Sequence, residues 1–238
     1  KIGFESLIIP GIAAIIYFML TSFGTSYMLM SVAEEKENRI IETILSAIKP
    51  KQLVWGKIFG QMGIVITQLL ILVVLSLIGL TLINPSVLGT IDFSKINISA
   101  IQVIAAIFYT LIGFLFLSSI MVGVGAAMPT YKEASGFSAI FIMLSILPIY
   151  FITLIMTDPS GPIAMAFSYM PFSAPLLLLF RSALGQLSVL EIIFSSTVLI
   201  IYTYIAMWLA FKLFEFGSLE YNNKISFMGF VRSLGKRA

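Results

Sequence analysis

Nine of the 25 charged residues in this chain fall within residues 31–57, SVAEEKENRIIETILSAIKPKQLVWGK: Glu34, Glu35, Lys36, Glu37, Arg39, Glu42, Lys49, Lys51 and Lys57. Charge gathered so tightly can do acid–base work, hold a metal ion or form a contact surface. Composition argues against the first two. The chain has no His and no Cys, so the imidazole base, the thiolate nucleophile and the usual zinc ligands are missing. No GxxxxGKS or GxxxxGKT loop is present to cradle nucleotide phosphates. No catalytic or metal-binding residues and no cofactor are therefore expected in this chain. Contact remains: Ile40, Ile41, Ile44, Leu45 and Ile48 recur at helical spacing beside a Glu35–Arg39 pair one turn apart. Acidic Glu34, Glu35 and Glu37 lead and Lys49 and Lys51 trail, as a helix dipole favours, and Pro50 limits continuation. The spacing predicts an amphipathic helix, lying either on lipid or on a protein. Leading carboxylates are repelled by an anionic leaflet, which favours the protein.

The elements that must position this segment are apolar. Hydrophobic residues make up 59% of the chain and charged ones 11%, against about 25% charged in a soluble domain. Runs at 7–30, 58–83, 99–128, 137–156 and 189–211 each reach the roughly 20 residues that cross a bilayer. The expected fold class is an all-α polytopic membrane protein with five transmembrane helices. Residues 158–188 are cut by Pro159, Pro162, Pro171 and Pro175 into pieces too short to span, and predict a broken, re-entrant outer hairpin. Eleven of the 14 Lys and Arg residues lie in 31–57, 129–135 and 212–238, which places these segments and the C-terminus in the cytoplasm of a multi-pass cell-membrane protein. Lys1, Lys95 and Arg181 then lie outside. The first helix starts outside, so a complete protein with a cytoplasmic N-terminus is expected to have an odd number of earlier spans, most simply one, before Lys1.

Within the spans no Asp, Glu, Lys or Arg stands deep in an apolar run; Glu191 and Lys212 sit near the ends. Gln61, Thr67, Gln68, Gln102, Tyr109, Ser118 and Ser119 are candidates for a translocation path, with hydrogen bonding between helices as the plainer explanation. Gly56 and Gly60 form a small-xxx-small pair that permits close helix contact. In the hairpin, Phe167, Tyr169, Pro171, Phe172 and Arg181 are candidates for an outer gate, an anchor at the lipid headgroups, or both. The net charge of +3 does not point to nucleic acid.

Two stretches carry a family resemblance. Glu34, Glu35, Lys36, Glu37, Arg39, Glu42, Leu45, Ser46, Pro50, Gln52, Leu53, Gly56 and Lys57 stand where the type-2 ATP-binding-cassette exporter permeases have their signature, most nearly the sodium-exporter-like (NatB-like) branch. YMPFSAPLLLLFRSALG, residues 169–185, is similar to the outer-hairpin segment of the same family. The order of helix, amphipathic segment, three spans, hairpin and last span also fits. The resemblance implies one exporter transmembrane domain over 1–238, with an earlier helix and an extracellular domain lying before it in such permeases. It implies a partner ATP-binding subunit that holds ATP and magnesium, a second permease half, identical or related, and a lipid surround. By the same resemblance Glu34, Glu35, Lys36, Glu37, Arg39, Ile41, Glu42, Leu45 and Lys49 would couple to the ATPase, with the short loop at Thr130, Tyr131, Lys132 and Glu133 as a second contact. The implied activity is ATP-driven export of sodium or an amphiphilic compound. A membrane scaffold or sensor that binds a cytoplasmic partner through the amphipathic helix is the alternative.

Overall fold

The computed structural model describes residues 5–82 and 99–217. Lys1, Lys95 and the tail residues Lys224, Arg232, Lys236 and Arg237 lie outside them. Among the described residues the chain is helical, in the order α1 Glu5–Glu37, α2 Ile40–Ala47, α3 Pro50–Leu82, α4 Ala100–Ala127, α5 Tyr131–Tyr150, α6 Ile152–Thr157, α7 Pro162–Tyr169, α8 Ala174–Ala183 and α9 Val189–Gly217. Five of these, α1, α3, α4, α5 and α9, are long and apolar enough to cross a membrane. The five expected spans are therefore present, with different limits. α1 runs seven residues beyond Met30, and the fourth span starts at Tyr131 and breaks at Phe151 instead of continuing to Met156. The break follows Pro148, whose ring cannot donate to the helix ladder.

α4 is the axis. Half of its most apolar window is buried, against 11% of that of α3, and α1, α3, α5, α8 and α9 all pack on it. Its start is fixed by a reciprocal capping box, in which the Ser99 side chain accepts from the Ile101 N–H and the Gln102 side chain accepts from the Ser99 N–H at 2.7 Å. One core cluster gathers at the end where residues 31–57 lie, here the charged end: Met28, Val32, Ile41, Ile58, Val122 and Phe214 come from α1, α2, α3, α4 and α9.

The segment 158–188 forms two short helices, α7 and α8, that enter the bundle from the opposite end. α8 is buried along most of its length, from Ala174 to Ser182. The turn between them reaches midspan: Phe172 packs on Phe116, the seventeenth of 28 residues in α4, and stacks on Phe141, the eleventh of 20 in α5. Gly113 admits this wedge, since a Cβ there would stand 2.5 Å from Pro175 Cβ and 2.8 Å from the Tyr17 hydroxyl. Gly185 ends α8 in the left-handed region at φ 67°, with the Gln186 N–H bonded to the Arg181 carbonyl as in a Schellman cap.

Candidate functional site

The charged segment is not one helix. α1 stays helical out of its apolar stretch as far as Glu37, the chain turns at Asn38 and Arg39, α2 occupies only Ile40–Ala47, and Pro50 opens α3. Pro at a first helical position costs nothing, because its missing N–H has no intrahelical partner there. This corrects the predicted single amphipathic helix and its dipole arrangement. Glu34, Glu35 and Glu37 stand at the carboxyl end of α1, where negative charge is unfavourable, and Lys49 precedes α3, of which Lys51 is the second residue. Arg39 takes the left-handed conformation at φ 57°, which is uncommon and costly for a side chain with a Cβ.

Three consecutive residues at this end each bond a different neighbour. The Glu35 carboxylate accepts from Lys57 Nζ of α3 at 2.6 Å, and Lys57 also bonds Ser31. Lys36, fully buried, donates to the Ala126 carbonyl of α4 at 2.6 Å. Glu37 accepts the Tyr131 backbone N–H of α5 at 3.0 Å. The spacing predicts Arg39 as the partner of Glu35; the structure supplies Lys57 of the next span. Tyr131, Lys132 and Glu133 form the first turn of α5 with Thr130 as its N-cap, not a loop.

α2 lies against the bundle on one side only. Ile41 is completely buried, Ile44 and Leu45 are half-buried, and Ile40, Glu42, Thr43, Ser46, Ala47 and Ile48 are exposed. The predicted isoleucine stripe therefore divides: its centre anchors α2 and its flanks, Ile40 and Ile48, face outward together with Arg39, Glu42 and Lys49.

At the other end Arg181 is not directed to headgroups. It is 1% exposed, donates to the Ser168 hydroxyl at 3.0 Å, and pairs with Glu191 at 3.2 Å. Glu191 closes the start of α9 by accepting the Ser188 N–H. Phe172 and Pro171 sit at the turn between α7 and α8, and the Tyr169 carbonyl accepts from the Tyr202 hydroxyl. Phe167 lies against Phe151. The hairpin residues thus meet one another and α4, α5 and α9.

The polar candidates for a path do not converge. Thr67 and Gln68 are exposed on α3, Gln61 is half-buried there, and Gln102 caps α4. Tyr109 bonds Ser195 at 3.1 Å, a tie between α4 and α9. Ser119 bonds the Leu115 carbonyl of its own helix, and Ser118 is fully buried. Gly56 and Gly60 face open space, so neither serves a contact among the described residues. A large cavity, missed by sequence reasoning, is a cleft of about 530 Å³ beside α4, between α5 and α9, lined by residues such as Gly123, Phe137, Phe141, Ala206 and Leu209 and bounded by Phe172. Its surface is almost wholly apolar; its two hydroxyl groups, on Ser119 and Tyr202, are bonded to carbonyls. Among the described residues no three acidic side chains gather as metal ligands.

Comparison with known proteins agrees with this architecture. A family described as ABC-2 family transporter protein matches residues 3–212. The uncharacterized protein MJ1024 of Methanocaldococcus jannaschii is 30% identical over 243 aligned residues, which cover 100% of this chain and 57% of that protein. The uncharacterized protein YhaP of Bacillus subtilis strain 168 is 21% identical over 223 residues, covering 92% of this chain and 53% of the other. The chain thus spans about half the length of these relatives. No solved structure matches it.

Proposed function

Because this chain belongs to the ABC-2 transporter family, whose members are multi-pass membrane permeases, we propose that it couples ATP hydrolysis on a separate subunit to outward movement of a cargo. The observation that carries the proposal is α2. It is a short helix anchored by buried Ile41 and bounded by a left-handed Arg39, and it presents an exposed row of mixed apolar and charged residues at the charged end. An apolar flank ringed by charge suits a protein surface better than a lipid one.

In this reading the ATPase docks on Arg39, Ile40, Glu42, Ser46, Ile48 and Lys49, with exposed Lys132 as a minor second contact. ATP and magnesium belong to that subunit, and a second permease half completes the exporter. The charged end, and with it the C-terminus, faces the cytoplasm. ATP-driven closure can move α2 only if docking differs in free energy between the two states. A cargo with an apolar or amphiphilic body is favoured by the scarcity of converging polar groups and by the apolar cleft.

The test is assembly. Glu42→Lys combined with Ile48→Asp should abolish copurification of the ATPase encoded nearest to this gene, while the permease still accumulates in the membrane. Undiminished copurification would overturn the assignment of α2 as the docking element and favour a scaffold that binds its partner elsewhere.

A further inference from the structure

Glu35, Lys36 and Glu37 are three neighbours on one helical turn, so their side chains leave α1 about 100° apart. Each reaches a different span. Lys57 lies near the start of α3, Ala126 in the last turn of α4 and Tyr131 at the first position of α5. The charges match what those ends require. The Ala126 carbonyl is one of the four that α4 leaves without an intrahelical partner, at its negative end, and it receives an ammonium. The Tyr131 N–H is one of the free donors at the positive end of α5, and it receives a carboxylate.

A fully buried lysine is expensive unless paired, and its placement on a helix end 90 residues away is specific. Ile41 and Val54 lie in the same core cluster as Val32 and Ala126, so α2 is packed against the tie.

We infer that Glu35, Lys36 and Glu37 are positioning residues that clasp the charged ends of α1, α3, α4 and α5 into one body, so that a push on α2 displaces these four ends together. The inference rests on α2 being the docking element. It adds that the path opens by movement of the whole clasped block against another part of the exporter, not by separation of α3 from α5 within this chain. The residues that resemble a docking signature are thereby divided: Glu35, Lys36 and Glu37 hold the bundle, and the exposed residues of α2 meet the partner.

The absence of cysteine makes the test direct. Gly56 on α3 and Gly136 on α5 both have open space where a Cβ would stand, so Gly56→Cys and Gly136→Cys can carry nitroxides away from α2. Labelled chain, diluted with unlabelled chain, is assembled with the ATPase, and the nitroxide distance is measured without nucleotide and with ATP and vanadate. The expected result is one narrow distribution unchanged between the two states. Glu37→Gln and Lys36→Met should broaden it about twofold or more, with Lys36→Arg restoring the narrow form. A shift of about 5 Å on trapping in the unsubstituted clasp would overturn the inference, as would unchanged widths in both variants. Failure of the ATPase to copurify with the labelled chain, when Glu42 and Ile48 are intact, would instead overturn the docking proposal.

Discussion

Among the described residues two cations are almost wholly buried, one at each end of the bundle, and they are held differently. Lys36 reaches across 90 residues of sequence to a helix carbonyl, while Arg181 bonds Ser168 and Glu191, 13 and 10 residues away, and its Nε is buried without a hydrogen-bond partner among the described residues. The charged end is thus tied by polar bonds between residues 22 to 94 apart in sequence, and the hairpin is a wedge whose buried cation is held by partners within 13 residues, Ser168 of α7 and Glu191 in the first turn of α9. Displacing the hairpin from α9 would break the Arg181–Glu191 pair and the bond from the Tyr202 hydroxyl to the Tyr169 carbonyl. Long-range ties make their helices move together.

The largest effect that sharpens this contrast is expected at Arg181. Arg181→Met leaves the hydroxyl of Ser168 and the carboxylate of Glu191 without their cation, and the loss should approach about 3 kcal/mol, the lower range for a broken buried pair because Glu191 is a quarter exposed. Thermal unfolding of the purified protein would show it. Because Arg181 joins α7, α8 and the start of α9, limited proteolysis of this variant should cut within 158–188 before any cut near residues 31–57.

Next comes the wedge itself. Gly113→Ala places a methyl 2.5 Å from Pro175, whose ring is rigid and cannot turn aside. Overpacking of this kind costs about 1–3 kcal/mol. Thermal unfolding of purified Gly113→Ala, with Gly136→Ala at an open helical position as the control, would check that α8 sits against α4. An unfolding transition no lower than that of the unsubstituted chain would break the description of the hairpin as a wedge against α4.

Much of this architecture is legible in the sequence. The apolar lengths predict five spans because a bilayer fixes how long a helix must be, and the four prolines predict a broken hairpin because none can sit inside a long helix without cost. The charged segment departs from its prediction for a physical reason. Its isoleucine periodicity is real, yet periodicity reports a face and not a boundary, and Glu34 to Glu37 belong to the preceding helix. The partners Lys57, Ala126 and Tyr131 lie 22, 90 and 94 residues away, beyond any local pattern. One signal is available: an acid–base–acid run on a single helical turn cannot serve one face. The burial of Arg181 is hidden because one arginine near a span end looks the same whether it snorkels to headgroups or pairs inward.

A smaller effect separates the pair that ties α3 from the other two bonds of the clasp. Lys57 and Glu35 are partly exposed, at 11% and 23%, so water screens them. A double-mutant cycle with Lys57→Met and Glu35→Gln should give a coupling of about 0.5–1 kcal/mol. A coupling indistinguishable from zero would remove α3 from the clasp and leave α1, α4 and α5.

The smallest effect tests whether α3 owes anything else to packing at that end. Gly56 precedes Lys57 on the helix, yet a Cβ there meets nothing within 4 Å, and Gly60 is equally open. With no contact to lose, Gly56→Ala should stabilise the chain by about 0.5 kcal/mol, through the lower entropy and better helix propensity of Ala. The same substitution should leave the Lys57–Glu35 coupling unchanged, because Lys57 leaves the helix in a different direction. If Gly56→Ala instead weakened the proposed assembly with the ATPase while stabilising the isolated chain, the open glycine face of α3 would be a contact with another subunit. The charged end would then be bound on its outside as well as tied within.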